Sequence, residues 1–387
     1  MSVKKKTLFN LLYMLCQGFF WMALCFVYGY AQVFLESRGF DTTQAGFVMG
    51  AGCVAGILLQ PLAARFSESV AFLTVRTTIL LISGLILLLA VPILGGAAGL
   101  LLSLCFIALL ALSHLIDPFL TALAYRTETD GKPVNYSAAR GIGSLAYAIS
   151  SLLLSRILDL SVNGMLHYFL LSFSLFLLTV LLLPDTRPEP SASLAGDHFF
   201  RENRKFCFVV VATALICIHH TIINSFMWSL VNEIPGAQSS LLGTATSVGA
   251  IAEVPMMLCF SRVQRKISSD KLLKVAAVFY FLKPLLIVVS PSVPALLLSQ
   301  GLQIFGYALF TPAMAQYVRQ VVPNRHLVLG QTLISLAIGF SGAVSSLFGG
   351  ALIEQFGFVT TLGFALVLDA AGILMLFKNL IPVPKEG

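Results

Sequence analysis

Long apolar segments separated by short polar loops run through almost the whole chain. Each segment is long enough for a membrane-spanning helix, which needs about 20 apolar residues. Hydrophobic residues are continuous within the segments and do not alternate with polar ones, which excludes a membrane β-barrel. The pattern predicts an all-α membrane protein with twelve transmembrane helices, called spans 1 to 12 below. Their predicted ranges are 9–36, 43–65, 71–94, 98–124, 137–158, 165–184, 205–232, 240–261, 272–290, 293–318, 328–353 and 356–379.

The composition agrees with this pattern and narrows the class of protein. Of the 387 residues, 58% are hydrophobic and 11% are charged, far from the values of soluble globular proteins. The first apolar segment is too long for the core of a cleavable signal peptide. All seven cysteines lie in predicted spans without a C-x-x-C pair, so they are predicted to be reduced packing residues. We find no metal-ligand spacing, phosphate-binding loop or nucleophile motif, which predicts no metal, no cofactor and no enzymatic activity.

Lysine and arginine are distributed unequally between the two sides of the predicted membrane. The two termini and the loops after spans 2, 4, 6, 8 and 10 hold nearly all of them, whereas the opposite side holds only Arg38 and Arg156. By the positive-inside rule both termini face the cytoplasm, which indicates a multi-pass protein of a cytoplasmic (inner) membrane, embedded in the lipid bilayer. The net charge of +7 follows from this topology. Because the basic residues are spread over many segments, no nucleic-acid partner is predicted.

A polar stretch rich in proline and charge divides the chain into two halves. It lies between spans 6 and 7 and is the longest polar segment. We predict an N-terminal six-helix bundle over 1–184, a cytoplasmic linker over 185–204 and a C-terminal six-helix bundle over 205–387.

The two halves repeat each other weakly. Pro61 matches Pro255 and Pro118 matches Pro312, both at an offset of 194 residues. The stretch A-I-S-S-L at 148–152 recurs as A-V-S-S-L at 343–347. Duplicated six-helix halves are typical of a two-domain transporter whose site lies between the halves near the middle of the membrane.

Seven short motifs follow one another in a recognisable order. They are G-Y at 29–30, E-S-R-G-F-D-T-T-Q-A-G at 36–46, Q-P-L-A at 60–63, L-I-D-P at 115–118, N-Y-S-A-A-R-G-I-G-S at 135–144, E-V-P at 253–255 and F-G-G-A-L-I-E-Q-F-G at 348–357. In this order the chain resembles the major facilitator superfamily, and more narrowly its branch with lactose permease, nucleoside–proton symporters and phenylpropionate-type permeases.

The resemblance implies the major facilitator fold, with two pseudo-symmetric six-helix bundles. It further implies proton-coupled symport of a small polar organic solute by alternating access, with an oligosaccharide, a nucleoside or an aromatic acid as the solute. The partners are then the solute, the proton and the lipid bilayer, and we expect a monomer.

Glu253 is the carboxylate that stands out inside an apolar run. Holding a charge in hydrocarbon costs several kcal/mol, so an ionisable residue there is a functional hypothesis by default. Pro255, two residues on, removes a backbone hydrogen bond and bends the helix near this acid. By the resemblance, a glutamate at this place in span 8 links solute binding to proton coupling. The alternative is a neutral glutamic acid that donates one hydrogen bond in a packed interior.

Asp117 and Arg140 are predicted to lie at similar depth in neighbouring spans 4 and 5. A carboxylate and a guanidinium at that distance can neutralise each other. The R-G-I-G-S motif at Arg140 matches the place of a sugar-binding arginine in lactose permease, so the resemblance makes Arg140 a solute-binding residue with Asp117 as its partner. A fixed salt bridge between two helices is the alternative.

Lys283 in span 9 matches by spacing a basic residue of lactose permease. The histidine and glutamate that complete proton translocation in that family are replaced here by Gln303 and Gly306. Either Glu253 or Asp117 therefore carries the proton, with Lys283 tuning a neighbour, or the protein is not a proton symporter. A structural pair between Lys283 and Asp369 of span 12 is the alternative for this lysine.

Other polar residues of spans 1, 7 and 10 are candidates for the lining of a pocket for a ring-shaped, hydroxyl-rich or aromatic solute. The pairs Asn224 with Trp228 and Gln303 with Tyr307 are four residues apart, which predicts a shared helix face. With Arg140, the predicted solute-binding residues are Tyr28, Gln32, Asn224, Trp228, Gln303 and Tyr307.

Two rival functions remain open at this level. One is a proton-coupled exporter of amphipathic compounds, although the proline and glycine motif that such exporters often have late in span 5 is absent from 145–155. The other is a membrane sensor that has lost transport.

Overall fold

The computed structural model describes residues 3–69, 73–129, 136–184, 199–323 and 326–385. In these ranges all regular structure is helical, and twelve helices are long and apolar enough to cross a membrane, which confirms the predicted fold class. The α-helices are α1 Val3–Leu24, α2 Ala31–Ser37, α3 Thr42–Ser69, α4 Val75–Leu94, α5 Gly99–Thr129, α6 Tyr136–Leu160, α7 Val162–Leu182, α8 Phe199–Glu202, α9 Arg204–Ser225, α10 Met227–Glu233, α11 Ser240–Gln264, α12 Ser269–Val289, α13 Val293–Gly301, α14 Tyr307–Val321, α15 Leu327–Phe356 and α16 Phe358–Asn379.

The chain divides into two compact units, unit 1 over Met1–Ser191 and unit 2 over Ala192–Gly387. The division falls within the stretch predicted as a linker. The described end of that stretch forms the short helix α8. Its first residue, Phe199, is buried against Phe206 and His326, with ring centroids 6.2 and 5.4 Å away. This end of the predicted linker is therefore part of the core of unit 2.

Unit 1 is organised around phenylalanine rings. Phe26 of span 1 contacts Phe34, Phe106 and Phe169, with centroid distances of 5.2, 6.3 and 5.5 Å. These rings come from the two parts of span 1 and from spans 4 and 6. Because aromatic pairs at such distances add to the free energy of apolar burial, they fix these three spans against one another.

Unit 2 has small residues between its helices. Buried alanines of spans 9 and 10, Ala276, Ala277, Ala308 and Ala313, belong to one hydrophobic cluster. At Gly372 of span 12 an added Cβ would lie 3.1 Å from the Ala212 carbonyl of span 7. Small residues let helix backbones approach closely where hydrocarbon supplies no hydrophobic driving force.

Spans 1 and 7 are broken in the same way. Tyr30 (φ −122°, ψ 7°) interrupts span 1 after a π-helix over Cys25–Gly29, and Phe226 (φ −120°, ψ 28°) interrupts span 7. A helix of seven residues follows each break, namely α2 and α10. Corresponding breaks in the two units agree with the sequence repeat.

Span 10 is broken as well, but its counterpart in unit 1 is not. Helix α13 ends at Gly301, a 3-10 helix covers Leu302–Ile304, and α14 begins after Gly306. Span 4 is the single helix α5, which continues through Pro118. Breaks of this kind are tolerated at membrane depth where the backbone is buried in protein or lines a polar cavity.

Candidate functional site

An acid, an amide and an amine meet at the break of span 10. Glu253 comes from span 8, Lys283 from span 9 and Gln303 from the 3-10 turn, and they are 8%, 3% and 6% exposed. Gln303 Nε2 donates a hydrogen bond to Glu253 Oε1 at 2.5 Å, and Lys283 Nζ donates to Gln303 Oε1. The Gln303 amide therefore donates to Glu253 and accepts from Lys283, and it connects two buried ionisable groups.

The local sequence explains how these groups come together. Pro255 lies inside α11 next to the acid, where it removes one backbone hydrogen bond. The 3-10 turn places Gln303 at the point where span 10 is irregular. Discontinuous helices at this position are the usual framework of solute and ion sites in duplicated transporters.

Aromatic and amide groups lie beside this acid–amide–amine cluster. The ring of His220 stacks on Tyr307 at 4.7 Å and 7° between planes, and Asn224 Nδ2 lies 3.0 Å from His220 Nε2. Tyr280 contacts His220 at 5.8 Å. Together these side chains form a wall with ring faces and amide groups, which suits a ring-bearing solute.

Gln300 is a further buried amide of this region. Its Oε1 lies 2.8 Å from where a Cβ would sit at Gly249, one helical turn before Glu253. In the described part of the chain, Gln300 Nε2 is buried without a hydrogen-bond partner. A buried donor without an acceptor costs free energy, so this amide favours a polar neighbour.

Lys283 does not pair with Asp369, contrary to one of the two expectations for this lysine. Asp369 Oδ2 lies 3.2 Å from His219 Nδ1, and both side chains are fully buried. Because His219 and His220 are adjacent on one helix, they point to different sides. His219 joins span 7 to span 12, while His220 faces the acid–amide–amine cluster.

In unit 1 the guanidinium of Arg140 lies over the indole of Trp21, 4.0 Å from the ring centroid. Its Nη1 donates to Ser144 Oγ at 3.0 Å, one turn along the same helix. Asp117 lies close enough to Arg140 for the two charges to interact. The direct contacts of the guanidinium are with a ring and a hydroxyl, and its neutralisation by Asp117 stays a prediction.

Tyr28 and Gln32, two predicted lining residues, are held by neighbours in unit 1. Tyr28 Oη lies 3.2 Å from His114 Nδ1, and Gln32 Nε2 donates to Glu36 Oε1 at 2.7 Å.

Pro118 has no N–H for the carbonyl of His114, four residues before it. Gln60 Nε2 donates to that carbonyl at 3.2 Å instead.

The two predicted helix faces are interrupted. Asn224 and Trp228 lie on opposite sides of the break at Phe226, and Gln303 and Tyr307 lie on opposite sides of the break at Gly306. Because the sequence period assumes unbroken helices, it does not fix the relative direction of the two side chains in either pair, and the shared faces stay predictions. Trp228 is half-buried in α10.

Trp21 and Ser144 were not among the residues predicted for the site. Ser144 stands four residues after Arg140, which is a helix-neighbour signal. Trp21 is one of only two tryptophans in the chain, but nothing in the sequence places it beside span 5.

Comparison with known proteins places the chain in a family. The model of the MFS_1 like family matches residues 10–364. The probable 3-phenylpropionic acid transporter of Escherichia coli (strain K12) is 25% identical over 362 residues, covering 89% of this chain and 93% of the relative. The uncharacterized transporter YwbF of Bacillus subtilis (strain 168) is 24% identical over 350 residues, covering 84% of each protein.

Among solved structures, a mutant form of the nucleoside transporter NupG superposes with a TM-score of 0.82. It is 13% identical in sequence, and the match covers 96% of this chain and 100% of that one. At this identity the likeness shows the fold. Because the family model covers most of the sequence, the chain belongs to the MFS_1 like family and is a membrane transporter of the major facilitator type, not an enzyme.

Proposed function

We propose that this chain is a proton-coupled symporter that moves a small polar organic solute by alternating access. The observation that carries the proposal is the buried cluster of Glu253, Gln303 and Lys283 at the break of span 10. Buried ionisable residues inside a membrane protein are costly and mark ion and solute pathways. Glu253 is then the proton carrier, and Lys283 sets its charge environment.

The bonding of Gln303 suggests how a proton and a solute are linked. With Glu253 ionised, the acid and the amine balance each other through the amide. When Glu253 takes up a proton, Lys283 remains as an uncompensated positive charge in a buried place. An anionic solute restores neutrality, so proton uptake and solute binding favour each other.

Of the three solute classes, this charge balance favours the aromatic acid over the oligosaccharide and the nucleoside. A guanidinium such as that of Arg140 binds a carboxylate through parallel hydrogen bonds. The wall of His220 and Tyr307 offers ring faces for an aromatic group. The name of the Escherichia coli relative, a probable 3-phenylpropionic acid transporter, supports the same class.

The remaining features of the proposal concern assembly and topology. We propose a monomer in the cytoplasmic (inner) membrane, with both termini cytoplasmic, a bundle over 1–184, a linker over 185–204 and a bundle over 205–387. Asp117 is a second candidate for the proton, and Tyr28, Gln32, Asn224, Trp228 and Tyr307 are candidate solute contacts together with Arg140 and Gln303.

The test is proton movement driven by solute. De-energised cells that express the chain receive 3-phenylpropionate, a nucleoside or an oligosaccharide, and the pH of the medium is followed. We expect alkalinisation with 3-phenylpropionate, its loss in Glu253→Gln, and its retention in the control Glu202→Gln, an exposed glutamate outside the spans. Accumulation of any of these solutes without a pH change would refute proton symport.

A further inference from the structure

We propose that Trp21 is a positioning residue for solute binding. Its indole packs against one face of the Arg140 guanidinium and fixes the orientation of that group, so that the N–H donors at its edge can bind a carboxylate. The inference rests on the proposed function, in which Arg140 binds the solute. It adds a specificity determinant on span 1 that selects planar carboxylates over neutral groups of similar shape.

The contact between the two side chains is close. The guanidinium carbon of Arg140 lies 4.0 Å from the centroid of the Trp21 ring. Two other arginines lie over rings at longer distances, Arg38 over Phe34 at 5.2 Å and Arg204 over Phe208 at 5.8 Å. Tryptophan is the strongest aromatic partner of a cation. At 4.0 Å the guanidinium carbon is in direct contact with the face of the indole.

The orientation of the indole is itself fixed. Trp21 Nε1 donates to Gln17 Oε1 at 3.1 Å, Gln17 Nε2 donates to Tyr13 Oη at 3.0 Å, and Tyr13 Oη donates to the Leu120 carbonyl at 2.9 Å. This chain of bonds starts at a group that only donates and ends at one that only accepts, so its direction has no alternative. Gln17 and Tyr13 are fully buried. The orientation of the Trp21 indole is therefore fixed by hydrogen bonds within span 1 that end on the backbone of span 4.

The helix that carries Arg140 makes room for the ring. A Cβ at Gly143 would lie 2.6 Å from Trp21 Cδ1 and 3.1 Å from Cγ. A side chain there would push the ring away from its seat against span 5. Gly141, on the same helix, is different, because an added Cβ would meet nothing within 4 Å. The two glycines form a matched pair for an experiment.

The remaining hydrogen bonds of Arg140 follow from this geometry. A guanidinium carries five N–H donors in one plane. The bond from Nη1 to Ser144 uses one of them. In the proposal the Trp21 ring covers one face of the guanidinium, and the donors that Ser144 does not use lie in the guanidinium plane, where they can bind a carboxylate through two parallel bonds.

The experiment measures exchange of labelled 3-phenylpropionate in membrane vesicles, with the amount of each variant in the membrane determined alongside. We expect Trp21→Leu and Gly143→Ala to raise KM about tenfold, the size of a partly desolvated cation–π contact, with the maximal rate retained. Trp21→Phe keeps a ring and is expected to raise KM less. Gly141→Ala should behave as the wild type.

A second readout tests specificity. Competition by 3-phenylpropionate is compared with competition by its neutral amide, 3-phenylpropanamide. Trp21→Leu is expected to reduce the preference for the acid, because the arginine is no longer held flat. A loss of packing alone would lower the amount of protein and leave this preference unchanged, which would overturn the inference.

Tryptophan fluorescence reports whether the solute changes the environment of Trp21 in the wild-type protein. The chain has two tryptophans, so the difference between the wild type and Trp21→Phe reports Trp21. We expect 3-phenylpropionate to change this difference signal, and the absence of a change would overturn the inference. An unchanged KM in Trp21→Leu and Gly143→Ala, with Arg140→Lys impaired, would overturn it too. A normal KM in Arg140→Lys would instead contradict the proposed role of Arg140 as a solute ligand.

Discussion

Spans 4 and 10 hold corresponding places in the two units, and each carries the matching proline of the repeat, Pro118 or Pro312. Each proline lies inside a continuous helix, Pro118 in α5 and Pro312 in α14, and in unit 1 Gln60 supplies a donor to the carbonyl that Pro118 leaves without its helical N–H. In unit 2 the span breaks before its proline, between Gly301 and Tyr307. Only the broken helix offers an amide that can bridge two neighbouring spans.

This difference shows where the proposed coupling chemistry comes from. Unit 1 keeps its acid, Asp117, on a regular helix and holds its arginine on an aromatic ring. Unit 2 places Gln303 at an irregular turn between Glu253 and Lys283. We propose that the repeated frame serves solute recognition in one unit and proton handling in the other, and the following predictions test that division.

The largest expected effect comes from removing the amine. Lys283→Met leaves the charge of Glu253 buried without compensation, and losing one partner of a buried pair costs about 3–5 kcal/mol of folding free energy. The double variant Glu253→Gln with Lys283→Met should recover most of this loss. Thermal unfolding of the purified protein in detergent measures both. A single variant as stable as the wild type would contradict the link through Gln303.

Asp369→Asn tests whether the contact between His219 and Asp369 stabilises the fold without taking part in proton coupling. Asp369 lies 3.2 Å from His219 and both side chains are fully buried, so weakening this contact should cost about 1–3 kcal/mol and shift unfolding to lower temperature. Solute-driven alkalinisation should persist in the protein that remains, because Asp369 takes no part in the hydrogen bonds that join Glu253, Gln303 and Lys283. Lost alkalinisation at normal stability would assign this pair to coupling.

Gln60→Leu tests the hydrogen bond from Gln60 to the His114 carbonyl of span 4. The His114 carbonyl would lose its side-chain donor, at a cost of about 1–2 kcal/mol in unfolding free energy. Val254 precedes Pro255 as Gln60 precedes Pro61, so Val254→Leu is the matched control in unit 2, with little effect expected. Equal stability of the two variants would mean that span 4 does not depend on this bond.

The smallest expected effects lie at the junctions between the short helices and the last span of each unit. In unit 2, Glu233 accepts hydrogen bonds from the backbone N–H groups of Phe358 and Val359 at the start of span 12. Its change to Ala removes a helix cap, worth about 1 kcal/mol. In unit 1 the corresponding contact is an exposed bond from Arg38 to Asn163, and Arg38→Ala should cost less than about 0.5 kcal/mol. Chemical unfolding of both variants ranks the junctions, and the reverse order would contradict this account.

The all-α class and the twelve spans follow from the sequence because a bilayer demands long apolar helices. The repeat of Pro61 with Pro255 and Pro118 with Pro312 also anticipates two similar halves. The breaks at Tyr30, Phe226 and Gly306 do not follow from it. A helical period is read on the assumption of an unbroken helix, and the residues at these breaks are common inside intact spans.

The contacts of the site show the same limit. Glu253, Lys283 and Arg140 stand out because charge in an apolar run is rare. Their partners depend on the packing of distant spans: Lys283 contacts Gln303 and not Asp369, and Arg140 contacts Trp21. Such contacts depend on which helix faces pack together, and the amino-acid composition of a span does not predict this.

The most direct test of the central claim uses Gln303→Leu, which removes the amide between the acid and the amine and keeps the side chain close to its original size. Energised vesicles are assayed for uphill accumulation of 3-phenylpropionate, and de-energised vesicles for counterflow of the same solute. The account predicts that accumulation is lost while counterflow persists at high solute concentration, because Gln303 is one of several candidate solute contacts but the only link between Glu253 and Lys283 in this account. Accumulation at the wild-type level in Gln303→Leu would contradict it.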